Sequence, residues 1–291
     1  MFIQQLVNGL TIGSTYALVA IGFTLIFGVL ELINFAHGSF YMVGAYFTLM
    51  LMLAMGGNFV LAFIISLALT GALGAMMDHF ALRRIRERRA TKDAALISTI
   101  GIATVIDHSV LEFFGSETKS FPAVLNLGKI TVGNTIISYM QILIFAVAVI
   151  LMGLLTFILY KTRIGKAMRA VSQNMDAAKL MGINVNFVIS FTFLVASVLA
   201  AIAGTMVGMY YQAIEVTMGF AIGMKSFAAA VLGGISVLPG AMLGGLIIGV
   251  VEALGASISS GYRDAIAFAV LIIVLVFKPS GLLGKKHNNK V

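Results

Sequence analysis

Nine apolar windows, at 9–30, 36–55, 58–81, 94–113, 139–160, 187–211, 218–238, 239–258 and 262–278, are each close to the roughly 20 residues an α-helix needs to cross a hydrocarbon core. Only 10% of residues are charged and 60% are hydrophobic, whereas soluble domains are about 25% charged. The fold class is therefore an all-α polytopic membrane protein with about eight to nine transmembrane helices, some of them broken or re-entrant. The windows at 36–55 and 218–238 are the ones expected to break. Gly38 and Gly44 interrupt the first, and Gly219, Gly223, Gly233 and Gly234 the second. Interrupted segments in both halves of a chain point to a transport site where structural repeats meet.

The basic residues decide which loops lie together. Segments 82–93, 161–186 and 278–290 hold six, five and four Lys and Arg, fifteen of the nineteen in the chain. Positive loops stay on the cytoplasmic side. Two windows separate the first basic segment from the second and four separate the second from the third, even numbers that return all three to one side. With nine complete spans the N-terminus lies outside. The net charge of +8 thus reports topology, not a nucleic-acid partner, which would require the cations on one exposed face of a folded domain. No charged n-region precedes the first apolar stretch, so the first helix is expected to stay in place.

Little in the chain offers covalent or metal chemistry. Cysteine is absent, which excludes disulfides, thiolate nucleophiles and Cys-based metal sites. Gly219-Phe-Ala-Ile-Gly-Met-Lys225-Ser226 has the wrong spacing for a phosphate-cradling loop and lies in an apolar window. His37, His79, His108 and His287 show no ligand spacing, so neither a metal nor a cofactor is expected. Asp78 is read as capping the inner end of a span. Thr104, His108 and Glu112 share one helix face, more simply interfacial than path-lining. Glu215, Lys225, Glu252 and the Arg263-Asp264 pair fall near predicted span ends and receive no role.

Two stretches carry more. Glu31-Leu-Ile-Asn34-Phe-Ala-His37-Gly38 sets hydrogen-bonding groups and a helix-breaking glycine among apolar residues, the means by which transporters build sites at membrane depth. Asn34, His37 and Gly38 are candidates for a translocation path. A short turn holding a satisfied histidine explains the same residues equally well. Gly115–Ser138 reads as an ordered external loop with short alternating runs. Small residues four apart, at Ala200, Gly204 and Gly208, at Gly240 and Gly244, and at Gly245 and Gly249, suit close helix packing.

The second stretch is 161–186. Met168, Val171, Met175 and Ala178 recur at spacings of three and four, which predicts one amphipathic helix over 165–181. Gly182 follows as its C-terminal cap, and Lys179 in the last turn complements the helix dipole. Such a basic helix lies on a membrane surface or fills a groove on a partner.

Asp176-Ala177-Ala178-x-x-x-Gly182 is similar to the Glu-Ala-Ala-x-x-x-Gly core of the loop by which ABC importer permeases contact their ATPases, with Asp in place of Glu. The string from Gly165 through Arg169 and Asn174 to Ile183 looks like the form this loop takes in branched-chain amino acid ABC transporter permeases. Leu32-Ile-Asn-Phe-Ala-His-Gly38 with Gly44-Ala-Tyr46 resembles the smaller of that system's two permease subunits, as do Ala230–Ile235, Pro239-Gly240 and Lys278–Gly284. The resemblance runs from about residue 5 to 286.

It implies a single transmembrane permease domain over 1–291 in the bacterial inner membrane, surrounded by lipid, with no catalytic site of its own. Its partners would be a second permease, two ATP-binding subunits and an extracytoplasmic solute-binding protein. The loop at 161–186 would couple to the ATPases through Gly165, Arg169, Asp176, Ala177, Ala178 and Gly182. The cargo implied is leucine, isoleucine and valine. Urea, short amides or other small solutes are the alternative, and an ion-coupled secondary transporter would keep more charge deep in its helices.

Overall fold

The computed structural model describes residues 2–88, 90–124, 128–133, 135–258 and 260–284. Arg89 and the tail lysines Lys285, Lys286 and Lys290 lie outside them. Each of the nine apolar windows is a helix. In chain order these are α1 (Phe2–Leu30), α2 (His37–Ala54), α3 (Phe59–Met77), α5 (Lys92–Phe114), α6 (Tyr139–Lys161), α9 (Val185–Tyr211), α10 (Met218–Gly233), α11 (Leu238–Ile258) and α12 (Arg263–Phe277). A π-helical turn, Asp78–Leu82, joins α3 to α4 (Arg83–Glu87), while α7 (Arg163–Gln173) and α8 (Met175–Leu180) occupy the polar interval. Seven helices are long and apolar enough to cross a membrane, counting α3 with its extension to Glu87 as one. The other two, α10 with 16 residues and α12 with 15, fall short, and α2 and α10 run as continuous helix through Gly38, Gly44, Gly219 and Gly223, where breaks were expected.

Polar residues at the helix starts do the capping that an apolar sequence cannot. The side chains of Asn58, Thr91 and Asn184 accept the third backbone N–H beyond them, and Ser138 with Gln141 forms a full capping box at α6. Each satisfies a donor that the helix geometry leaves free.

The core is built around α1, where Tyr16 to Ile21 are all fully buried. It runs antiparallel to α11, with Gly9 beside Val250 and Gly13 beside Leu246. A Cβ added to either glycine would come within 3 Å of the facing Cα. The small-residue rows of α11 face two neighbours. Gly245 and Gly249 pack on α1, Gly240 and Gly244 on α10. Lipid gives helices no hydrophobic reason to associate, so backbone approach of this kind supplies the packing.

The chain has two distinct ends. At one, Lys92 pairs with Glu31 at 2.6 Å, and Met175 packs beside Leu82 and Ile85. The C-terminal stretch folds back there as well, the N–H groups of Leu282 and Leu283 donating to Leu232 and Gly233. The described parts of all three basic segments therefore meet at this basic end. At the opposite end the 115–138 loop carries the hairpin β2 (Lys129–Val132) and β3 (Thr135–Ser138). A second antiparallel pair ties β1 (Lys119–Ser120) to β4 (Ala213–Ile214). Gln4 exchanges two 2.9 Å hydrogen bonds with the backbone of Ile136, which fixes the start of α1 at this end. The start of α1 and the Leu282–Leu283 stretch therefore lie at opposite ends.

Candidate coupling loop and outer cavity

In place of the one helix predicted over 165–181, the structure has two, broken at Asn174 (φ −161°, ψ 111°). The cause is local. Asn174 turns its side-chain oxygen onto the N–H groups of Asp176 and Ala177, at 3.0 and 2.9 Å, and so caps α8 instead of continuing α7. The apolar spacing survives the break because both helices turn the same side inward. Met168, Val171 and Ala178 are buried.

The expected loop residues divide into two groups. Gly165, Met168 and Arg169 anchor α7. A Cβ on Gly165 would strike the carbonyl oxygens of Ile158 and Leu159, and the Arg169 guanidinium donates to the carbonyl of Leu159 and lies 5.5 Å from the Tyr160 ring centre. Asp176, Ala177 and Gly182 are exposed on or just after α8. Gly182 has φ +80°, and the N–H of Ile183 reaches the Ala178 carbonyl at 3.0 Å. This is the left-handed cap that glycine favours. Beside it Leu180 and Met181 stand 89% and 82% exposed.

Asn34, His37 and Gly38 lie inside the helix packing. The His37 Nε2 donates to the Val19 carbonyl at 3.1 Å, and its ring packs against Gly22, which stands roughly 12 Å of helix above Leu30. The chain thus climbs back from the basic end before α2 begins, as expected of a re-entrant start. Non-helical backbone at this depth must find partners within the protein. It does so through Asn34, which takes the Ala36 N–H at 3.1 Å, and through the Thr99 hydroxyl, which takes the Phe35 N–H at 3.2 Å. Asn34 and His37 line none of the cavities described below. On this geometry each commits one polar atom to the packing, while Asn34 Nδ2 and His37 Nδ1 are buried without a partner.

Three cavities follow α1. A polar vestibule of about 810 Å³ opens at the end opposite the basic loops, lined by Gln4, Asn8, Gln141 and Gln212 among others. Tyr210 and Tyr211, edge to face at 5.0 Å, separate it from a second cavity of about 320 Å³ beside Thr11, Thr15 and Tyr16. At the basic end a third, of about 210 Å³, lies between Thr24 of α1, Tyr160 of α6 and Met168 of α7. Val19, Ala20 and Phe23 are buried between the second and third.

Comparisons with known proteins identify the family. Residues 5–275 match the family model described as branched-chain amino acid transport system / permease component. The chain belongs to this permease family. High-affinity branched-chain amino acid transport system permease proteins BraD of Pseudomonas aeruginosa and LivH of Escherichia coli are 43% and 40% identical to it, each aligned over 100% of this chain and 98% of its own length. The ribose import permease protein RbsC of Haemophilus influenzae is 36% identical over 45% of the chain. As a permease it carries no enzymatic activity of its own.

Some polar residues of the permease hold positions that the sequence did not disclose. Asp78 is fully buried. It accepts from Arg86 Nη1 and from the Ser190 hydroxyl, both at 2.6 Å, and so clamps α4 and α9 to the π turn. Lys225, Glu252, Arg263 and Asp264 form one cluster. Lys225 Nζ lies 3.0 Å from Glu252 and 2.7 Å from Asp264, and Arg263 also pairs with Glu252. The only sequence signal was charge inside apolar windows at 225 and 252. Thr104, His108 and Glu112 remain exposed on α5.

Proposed function

We propose that this permease carries leucine, isoleucine and valine into the cell as one membrane subunit of an ATP-driven importer. A second, related permease, two ATP-binding subunits and an extracytoplasmic solute-binding protein complete the machine. The observation that carries the reading is identity of 43% and 40%, over essentially full length, to two proteins named for high-affinity branched-chain amino acid transport.

The basic end faces the cytoplasm, in keeping with the placement of positive loops. There α8 is the part an ATPase grips, its exposed Leu180 and Met181 entering an apolar groove as helix-in-groove contacts do. Closure of the ATPase pair moves α8, and α7 passes the displacement to Met168 and Val171 in the membrane domain. The cavity at the basic end is lined by that same Met168, so motion of α7 reshapes the inner exit. Uncovering it while the vestibule closes is alternating access.

The test is reconstitution of the complex in proteoliposomes with its binding protein. ATP-dependent uptake of leucine, isoleucine and valine, with no uptake of urea, is expected. Uptake of urea in preference to all three overturns the cargo, and uptake driven by an ion gradient without ATP overturns the class.

A further inference from the structure

The 320 Å³ cavity falls at the small end of the roughly 300–1,000 Å³ usual for small-molecule sites. Its wall is of two kinds. Ile12, Ile144, Val207 and Ile222 present an apolar side. The same cavity is lined by two cations, Lys225, one turn from Ile222 on α10, and Arg263, and by the carboxylate of Glu215, which forms no ion pair among the described residues. Tyr41 also lines the cavity. It is fully buried, and its hydroxyl has no hydrogen-bond partner. A buried hydroxyl left in that state costs about 1–3 kcal/mol, so an unsatisfied one in a cavity wall calls for a reason. An entering polar ligand supplies it.

We propose that this cavity is an outer subsite for an apolar zwitterionic amino acid. Arg263 and Lys225 take the α-carboxylate, Glu215 the α-ammonium, and the isoleucine wall the side chain, while the Tyr41 hydroxyl bonds the ligand's polar end. The inference rests on the amino acid permease reading above. Lys225 and Arg263 are already balanced by Glu252 and Asp264, so an incoming carboxylate displaces a partner. Asp264, 59% exposed, is the one free to yield, because Glu252 is enclosed. Competition of this kind keeps occupancy weak, which suits a site that a solute must leave as readily as it enters. Urea or a short uncharged amide would use neither the charges nor the apolar wall.

The assembled importer is trapped with ATPase inhibitor during turnover on leucine bearing a diazirine, irradiated and mapped by mass spectrometry. Label on peptides holding Ile12, Ile144 or Ile222 is expected, and label confined to other segments of this chain or to the second permease overturns the subsite. In parallel, Tyr41→Phe removes a hydroxyl that bonds nothing in the empty protein and Glu215→Gln alters an exposed group, so both variants fold. Each is expected to lower leucine taken up per ATP hydrolysed by about three- to tenfold, the worth of one hydrogen bond or charge contact. Unchanged ratios in both overturn the proposal. A wild-type importer that carries a different apolar amino acid refutes the branched-chain cargo alone, whereas one that carries only uncharged solutes refutes cargo and subsite together.

Discussion

Gly38 and Gly219 meet backbone to backbone. A Cβ on Gly219 would stand 2.9 Å from the Gly38 carbonyl oxygen, and one on Gly38 would run into the Gly219 carbonyl. The two glycine-bearing stretches, one in each half of the sequence, thus meet at a contact between α2 and α10. Neither side can move away without shifting a helix that the other neighbours hold.

Gly38→Val is therefore expected to lower stability by at least the roughly 1–3 kcal/mol of ordinary overpacking, because the atom it meets is backbone. Thermal scanning of the detergent-solubilised protein measures this as a clear drop in midpoint. Gly101→Ala, at a helical glycine with nothing within 4 Å, gains helix propensity and should match or exceed the wild type. Equal midpoints for the two variants would contradict the contact.

Asp78 and Arg86 make a second falsifiable pair. Asp78→Ala strands a guanidinium that is only 20% exposed, and breaking such a pair costs about 3 kcal/mol. Replacing both partners, Asp78→Leu with Arg86→Met, should recover most of that, since a packed apolar pair often equals a buried ionic one. A double variant as unstable as the single one would show that the Ser190 bond, not the ion pair, holds this corner.

At the break in the proposed coupling loop, Asn174→Ala should lose the cap of α8, worth about 1 kcal/mol. ATPase association would weaken by about fivefold, read by titrating the purified ATPase onto the permease pair. Asn174→Asp keeps an oxygen in place and should bind as the wild type does. Identical affinities for Ala and Asp would remove the cap from the argument.

Leu180→Glu with Met181→Glu tests the groove directly. Both positions face solvent, so membrane insertion and melting should be unchanged while ATPase co-purification is lost. Retained co-purification would move the docking surface elsewhere on the basic end.

Much of the architecture was legible because a bilayer permits so little else. An apolar window of about 20 residues has one outcome in lipid, so nine windows became nine helices, and the even spacing of basic loops carried the topology. The site was harder to read. Met168, Val171, Met175 and Ala178 keep helical spacing across Asn174, so periodicity could not reveal the break, although an Asn two residues before an Asp is a known start signal for a helix. Lys225 and Glu252 looked like residues near span ends. Only the packing of short α10 against α11 makes them partners, and pairing between helices leaves no trace in the spacing along either one. His37 was ambiguous for the same reason, since its partner, the Val19 carbonyl, is backbone and has no side-chain signature.

The joint at Asn174 has a mechanical consequence. On its membrane side α7 is pinned by Met168, Val171 and Arg169; on its far side α8 is held by Ala178 and by Met175, which packs beside Leu82 and Ile85. A push on α8 passes to α7 through one capped residue, with no slack loop in between to soak up the stroke. Under the coupling proposed above, a displacement of α8 would therefore travel along α7 toward the α6 and α9 ends that flank it.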